Sequence, residues 1–270
     1  MDDLLAAPDF AWTLRLRRGG PGSFFARQQN PSPLLKRRNT WLDRSPELCF
    51  ALAAGFQSLV EDAWNQAKDW GQLGEESEPT LESIGRHWEA DFLLLDSATS
   101  VVAGGCVCFP SSWSLQESTG KTLDEVHGIA PGLTEQIGDK IHRFLMRLPR
   151  GQVFLRENWG LTRTDHLNYH PELDRPRIEG AVPLDTVYLR IEHQAFVRLP
   201  GGVLLGLRID PVSVEEVVGQ APETARRLAG QLATMPDDVA RYKGLREAVR
   251  WMPEAILGAL RDRGDDRPSP

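Results

Sequence analysis

The chain has 270 residues, of which 41% are apolar and 26% charged, and its mean hydropathy is −0.35. These values are ordinary for a globular protein and exclude a disordered or fibrous chain. The formal net charge of −7 opposes binding to a polyanion, so we predict no nucleic-acid partner. No apolar run approaches the roughly 18 residues of a membrane helix. The acidic start, Met1-Asp2-Asp3, is unlike a secretory signal, so we predict a cytoplasmic protein without membrane contact.

The N-terminal region combines basic clusters with proline and glycine. Residues 1–44 show no sustained apolar period, which predicts an irregular basic arm. The cluster Lys36, Arg37 and Arg38 favours either the docking of an acidic electron donor or an ordinary solvated segment. Ser45-Pro46 then forms an N-cap and first-turn pair, and apolar residues recur at helical spacing as far as Trp70, which predicts one long helix.

The middle of the chain has the pattern of an antiparallel sheet. Short alternating apolar runs predict five strands, over residues 92–95, 101–109, 152–159, 186–199 and 203–209. A helix near residues 133–148 crosses between the second and third strands, and three helices follow the fifth. We therefore predict an α+β fold with a five-stranded antiparallel sheet and N-terminal, crossover and C-terminal helices, which is the element order of a PAS-like fold. Residues 45–260 form this single domain, and residues 261–270 form a disordered tail.

The three cysteines do not suggest a metal or disulfide framework. Cys49, Cys106 and Cys108 are too few and too unevenly spaced for a four-cysteine zinc or iron-sulfur site. Cys106 and Cys108 alternate with Val107, which is typical of buried thiols. The chain also lacks a flavin or nicotinamide motif, so any redox chemistry needs a separate reductase.

His127 is the most informative of the six histidines. It follows a short turn of helix at Leu123 to Val126 and precedes Gly128 and Pro131, so its backbone is restricted. A neutral imidazole on a rigid loop beside apolar strands suits an axial iron ligand. His166 and His170 have the spacing of metal ligands on a helix, but their segment ends in Pro171, which favours a hydrogen-bonded loop.

Polar side chains recur on one face of two predicted strands. Arg190, Glu192, Gln194 and Arg198 alternate on the fourth strand, and Arg156 and Asn158 alternate on the third. Such a face is either solvated or the wall of a polar pocket, where arginine pairs with carboxylates and glutamate with a cationic ligand.

Three blocks of sequence resemble the heme-dependent oxidative N-demethylase family. The first runs from Cys108-Phe109-Pro110-Ser111-Ser112-Trp113 through Gly120 and Leu123 to His127 and Pro131. The second is Arg156, Asn158 and Trp159, and the third runs from Arg190 to Pro200 with Arg208 on the next strand. Asp91 also matches a family aspartate, although Trp88-Glu89-Ala90 before it departs from the family pattern.

The resemblance implies a PAS-like heme b domain that oxidises a small methylated amine, such as dimethylamine, and releases formaldehyde. It implies O2 as a substrate and electrons from a separate NAD(P)H-dependent reductase or a ferredoxin. His127 becomes the candidate axial iron ligand. Phe109, Trp113 and Trp159 are candidate porphyrin walls, and Arg156, Arg190 and Arg198 are candidate propionate partners. Glu192, Asp91 and Asn158 are the candidate catalytic residues, with Glu192 or Asp91 holding the ammonium and relaying protons.

Three other functions remain open at this point. A PAS-like heme domain also suits a gas or heme sensor without turnover. A diverged oxygenase would act on a larger amine, and a heme-free scaffold would only bind a partner.

Overall fold

The structure, a computed structural model, describes residues 5, 7–20, 24–25, 32–73 and 78–264. No helix in these ranges is long and apolar enough to cross a membrane. The strands are β1 (Arg17–Gly19), β2 (Phe50–Leu52), β3 (Asp91–Asp96), β4 (Val102–Cys106), β5 (Val153–Thr162), β6 (Tyr188–Arg198) and β7 (Gly202–Ser213). The helices are α1 (Pro33–Arg44), α2 (Pro46–Cys49), α3 (Gln57–Asp69), α4 (Leu81–His87), α5 (Leu115–Ser118), α6 (Leu123–His127), α7 (Asp139–Arg147), α8 (Val214–Gln220), α9 (Pro222–Ala233), α10 (Asp237–Tyr242) and α11 (Ala248–Asp262).

The strands form one antiparallel sheet in the order β1-β5-β6-β7-β3-β4-β2. The α+β class is confirmed, and the five predicted strands correspond to β3 through β7. The predicted strand count of five is wrong, because β1 extends the sheet beside β5 and β2 extends it beside β4. Both added strands have only three residues, too few for an alternating pattern to be visible in the sequence.

The predicted helix from Ser45 to Trp70 is interrupted by β2. The chain forms α2, leaves the helix to pair with β4, and re-enters a helix at Gln57. Gly104 in β4 allows this pairing, since a Cβ at that position would lie 2.2 Å from the carbonyl oxygen of Ala51. The close approach of two strands therefore overrides a continuous helical pattern.

The predicted irregular arm contains a helix. Residues 33–44 form α1, where the Ser32 side chain accepts a hydrogen bond from the Leu35 N–H and Pro33 occupies the first turn. Arg38 is fully buried, whereas Lys36 and Arg37 are exposed, so Arg38 is not available to dock an electron donor. At the other end α11 continues to Asp262, and the rest of the predicted tail, residues 265–270, lies outside the described residues.

One face of the sheet carries the predicted polar residues, and we name it the crossover face. The register pairs Arg156 with Gln194 and Asn158 with Glu192, so side chains from β5 and β6 share this face. Phe196 of β6 also lies there, and its ring centroid is 5.3 Å from that of Phe144 in α7. The crossover helix α7 therefore covers one end of the crossover face.

The opposite side of the sheet contains the two largest apolar clusters. Helices α1, α3 and α4 pack there against a cluster that includes Phe92, Leu94 and Cys106. Helices α8, α9 and α11 pack against Leu189 and Ile191 of β6 in the second cluster. Because one side is filled with apolar side chains, the crossover face is the side of the sheet where polar groups gather.

Candidate functional site

His127 is the last residue of α6, and its backbone is fixed from both sides. Thr122 and Glu125 form a capping box at the start of the helix, in which Glu125 accepts from the Thr122 N–H at 2.7 Å. After the helix, the Ala130 N–H donates to the carbonyl oxygen of His127 at 2.8 Å. The short helix predicted before His127 is therefore present and holds the imidazole in one place.

The imidazole of His127 lies in a groove between α6 and α7. The groove is partly open to solvent, and its lining includes Leu123, Ile141, Leu145 and His142. Within the described part of the chain the ring nitrogens of His127 make no hydrogen bond. Burial lowers the pKa of His127, and the nearby charge of Arg156 lowers it further, so the ring is neutral at physiological pH.

Arg156, Gln194 and Glu192 form a hydrogen-bonded chain across β5 and β6. Arg156 Nη1 donates to Gln194 Oε1 at 3.3 Å, and Gln194 Nε2 donates to Glu192 Oε1 at 2.6 Å. Arg156 Nη2 donates to the Thr13 carbonyl oxygen at 3.2 Å, whereas its Nε is buried and has no partner within the described residues. The other carboxylate oxygen of Glu192 lies 3.5 Å from Ser111 Oγ.

Lys243 is a site residue that the sequence did not indicate. It follows α10, and its ammonium donates to the Trp159 carbonyl oxygen at 3.0 Å. The ammonium also lies 5.3 Å from the Trp159 ring centroid and 5.5 Å from that of Trp12. A lysine after a surface helix carries no local signal of such a position, since Trp159 is 84 residues away in the chain.

The site has an excess of positive charge. Burial lowers the pKa of Arg156, that of Lys243 to about 8 and that of Arg190 to about 10. The charge of Glu192 opposes this fall in all three cations, and Tyr169 and Asp91 also oppose it at Arg190. One carboxylate among three cations leaves the site favourable to an anionic ligand.

Arg190 differs from the other two cations because its hydrogen bonds hold loops. Its Nε donates to Ser111 Oγ at 2.8 Å, its Nη1 to the His166 carbonyl oxygen at 3.0 Å and its Nη2 to the Leu167 carbonyl oxygen at 2.6 Å. Nη2 also reaches the carbonyl oxygens of Phe109 and Pro110. Arg190 therefore ties the loop after β4 to the loop after β5, which leaves little of its guanidinium for a propionate.

Asp91 has structural partners. Its carboxylate pairs with the buried Arg38 and accepts hydrogen bonds from the N–H groups of Cys108 at 2.7 Å and Phe109 at 2.9 Å. Burial raises the pKa of Asp91 to about 6, although Arg38 and the two N–H groups oppose this rise. The structure therefore places Asp91 as a brace for the backbone after β4.

The remaining predicted residues are distributed over both sides of the sheet. Trp113 packs against the apolar cluster of the crossover face, whereas Phe109 packs in the cluster beneath α1, α3 and α4. Trp159 belongs to the cluster of the C-terminal helices, and Asn158 lies opposite Glu192 in the register. Arg198 lies at the far end of β6, where Nη1 donates to the Leu145 carbonyl oxygen at 3.4 Å.

The donor set does not suit a metal ion held by protein ligands alone. Among the described residues there is no group of three His, Cys, Asp or Glu side chains that would hold a metal. A single available imidazole is sufficient when a macrocycle supplies the other iron ligands. The fold and this site together define an α+β protein with a cationic cleft and, at His127, a neutral imidazole without a hydrogen-bond partner among the described residues.

A comparison with protein-family models agrees with this description. The model for haem-dependent oxidative N-demethylase, alpha subunit-like, matches residues 46–251. The chain belongs to this family. The family description indicates haem dependence and oxidative chemistry, and the term alpha subunit-like implies a partner subunit.

Proposed function

We propose that this protein is a heme b monooxygenase that removes a methyl group from a small methylated amine such as dimethylamine. It uses O2 and electrons from outside the chain, and it releases formaldehyde. One observation supports the proposal above the others. Burial and the charge of Arg156 keep the imidazole of His127 neutral, and Arg156 is linked through Gln194 to Glu192, in a member of a haem-dependent family.

The residues present fit a heme. His127 would hold the heme iron, because its ring is neutral and makes no hydrogen bond among the described residues. Trp113 would form an apolar wall, and the buried, unpaired Nε of Arg156 would find an acceptor in a carboxylate of the porphyrin. The order of the five long strands, β4-β3-β7-β6-β5, with a helical crossover between β4 and β5, supports a PAS-like core for this site.

When bound, heme supplies the activation of dioxygen that oxidation of an N-methyl carbon requires. Glu192 would bind the ammonium of the amine through Oε2, since Oε1 accepts from Gln194 and is oriented by it. Asn158, opposite Glu192, would provide a second polar contact to the substrate nitrogen. The carboxylate would take up the ammonium proton before the N-methyl carbon is oxidised, and it would return a proton to the amine nitrogen when formaldehyde leaves.

Three aromatic side chains limit water beside these polar groups. Phe144 of α7 packs edge-on against Phe154 and Phe196 of the crossover face, with ring centroids 5.6 Å and 5.3 Å apart. Next to a carboxylate, an apolar surface favours a small methylated ammonium over a strongly hydrated cation. A separate NAD(P)H-dependent reductase or a ferredoxin would supply the electrons.

The proposal is tested by turnover of the heme-loaded chain with dimethylamine, O2, NADPH and a reductase. We expect formaldehyde to appear in step with amine consumption. Glu192→Gln should raise the KM for the amine about tenfold or more, because a charge-assisted contact is lost, without changing the heme absorption spectrum. Glu215→Gln, an exposed change of the same charge on α8, is the matched control. A heme-loaded protein that binds gases but releases no formaldehyde would support the sensor function instead.

A further inference from the structure

A small cavity that is partly open to solvent lies at the edge of the sheet, beside the crossover face. Arg156 and Asn158 of β5 form one wall, and the segment around Trp12 forms another. Lys243 and Gln231, from the C-terminal helical region, close the far side. The Trp12 Nε1–H donates to the Pro131 carbonyl oxygen at 2.9 Å, which connects the cavity to the loop that follows His127.

Lys243 holds its ammonium in this cavity by unusual contacts. The indoles of Trp12 and Trp159 flank the ammonium, and its only hydrogen-bond acceptor among the described residues is the Trp159 carbonyl oxygen. An ammonium has three N–H donors, so the donors that do not reach Trp159 are available to a ligand. Since burial disfavours an unpaired charge, this arrangement stabilises a bound anion.

Arg156 presents a second incomplete group to the same cavity. Its Nη1 and Nη2 have partners, but its Nε is buried without one in the described parts of the chain. Glu157, the acidic residue that also lines the cavity, already pairs with Arg17 at 3.1 Å and His193 at 3.3 Å. The cations are therefore not neutralised from within the cavity wall.

We propose that Lys243 and Arg156 together bind a carboxylate, and that this carboxylate is a propionate of the porphyrin. The inference rests on the proposed function, because it assumes that the cleft beside His127 holds heme. Lys243 and Arg156 together face the single carboxylate of Glu192, and one propionate would balance the positive charge that remains. The indoles of Trp12 and Trp159 then position the Lys243 ammonium beside the carboxylate of the propionate.

The test compares two porphyrins that differ only in their carboxylates. The full chain, freed of heme, is titrated with iron deuteroporphyrin IX and with its dimethyl ester, and binding is followed by absorption. We expect Lys243→Met to weaken binding of the diacid about tenfold or more and to leave binding of the diester unchanged. Lys36→Met, the same change at an exposed position of α1, should alter neither titration.

Each outcome of this experiment separates the inference from the proposed function. Equal loss of affinity for diacid and diester in Lys243→Met, or no loss for either, would overturn the propionate assignment while heme binding stands. Failure of the unmodified chain to bind either porphyrin would overturn the proposed function itself. Acetate or phosphate could instead bind at Lys243 and weaken porphyrin binding in the unmodified chain but not in Lys243→Met. If diacid and diester then bind with equal affinity, the site belongs to a free anion and the inference is overturned.

Discussion

Arg38 stands in a run of three basic residues, and burial gives it a different role from its neighbours. Arg38 donates to Asp91, to the Gly85 carbonyl oxygen at 3.3 Å and to Cys106 Sγ at 3.3 Å, whereas Arg37 faces solvent. The pair Arg38–Asp91 in turn holds the two backbone N–H groups after β4. Removing one member of such a pair is destabilising, because the other charge is left buried without its counter-ion.

Replacing Arg38 tests this role directly. We expect Arg38→Met to lower the free energy of unfolding by about 3–5 kcal/mol, because Asp91 would remain buried without its cation. Arg37→Met is the matched control, and we expect a change within about 0.5 kcal/mol because that side chain is exposed. Urea denaturation measures both, and similar values for the two variants would show that the buried pair does not brace the fold.

At the scale of elements, pairing between strands determines where some helices and strands begin and end, and the local sequence pattern does not show this. The long strands β5, β6 and β7 have 10 to 12 residues each, so their alternation was visible in the sequence. The break of the predicted helix at β2 was not visible, because it depends on contact with Gly104, about fifty residues away in the chain. Helix α1 was missed for a related reason: its apolar residues Leu35 and Leu42 are interspersed with basic ones.

Gly104, which allows β2 to pair with β4, provides a test of this pairing. Gly104→Ala should lower the free energy of unfolding by about 2–4 kcal/mol, since its Cβ would overlap the Ala51 carbonyl oxygen. Gly160→Ala in β5 is the control, because a Cβ there meets no atom within 4 Å. Urea denaturation of both variants gives the comparison. Equal stability of the two variants would mean that β2 is not held against β4 as described.

His193 connects three strands and makes the sheet sensitive to pH. It lies between Asp210 of β7, at 3.1 Å, and Glu157 of β5, at 3.3 Å. The Asp210 hydrogen bond raises the pKa of His193 above 6.5, and His193 lowers the pKa of Asp210 below 3.8. The stabilisation by a raised histidine pKa is complete below pH 6.5 and is lost as the pH rises through the folded-state pKa.

We therefore expect the unmodified protein to lose stability between pH 6 and pH 9 relative to His193→Gln, which cannot titrate. The difference should be small, about 0.5 kcal/mol, because Asp210 is largely exposed and solvent screens the pair. Thermal unfolding of both proteins across this pH range measures it. Parallel pH curves for the two proteins would contradict the assigned contact.

At the scale of the whole molecule, the site is assembled from segments that are distant in sequence. His127 and the polar face of β5 and β6 were foreseen, because each has a local pattern that points to its role. Lys243 and Trp12 were not, since their meeting with Trp159 depends on how the C-terminal helices and the N-terminal segment pack against the sheet. Of the predicted site residues, the fold brings His127, Arg156, Asn158 and Glu192 to one region, and it gives Asp91 and Arg190 mainly structural contacts.

The identity of the axial ligand depends on two histidines that share one groove. His127 ends α6 with its backbone fixed, whereas His142 lies on the exposed side of α7 in the same wall. The charge of Arg156 acts on the ring of His127. Removing each imidazole in turn therefore discriminates between them.

A hemin titration of the full chain, followed by absorption, tests heme binding through His127 most directly. We expect one heme per chain with a sharp Soret band, loss of that spectrum in His127→Gly, and its return when free imidazole is added, while His142→Gly behaves like the unmodified protein. A chain that stays colourless after hemin is added, or a His127→Gly variant whose spectrum is unchanged, would contradict the assignment of His127 as the iron ligand.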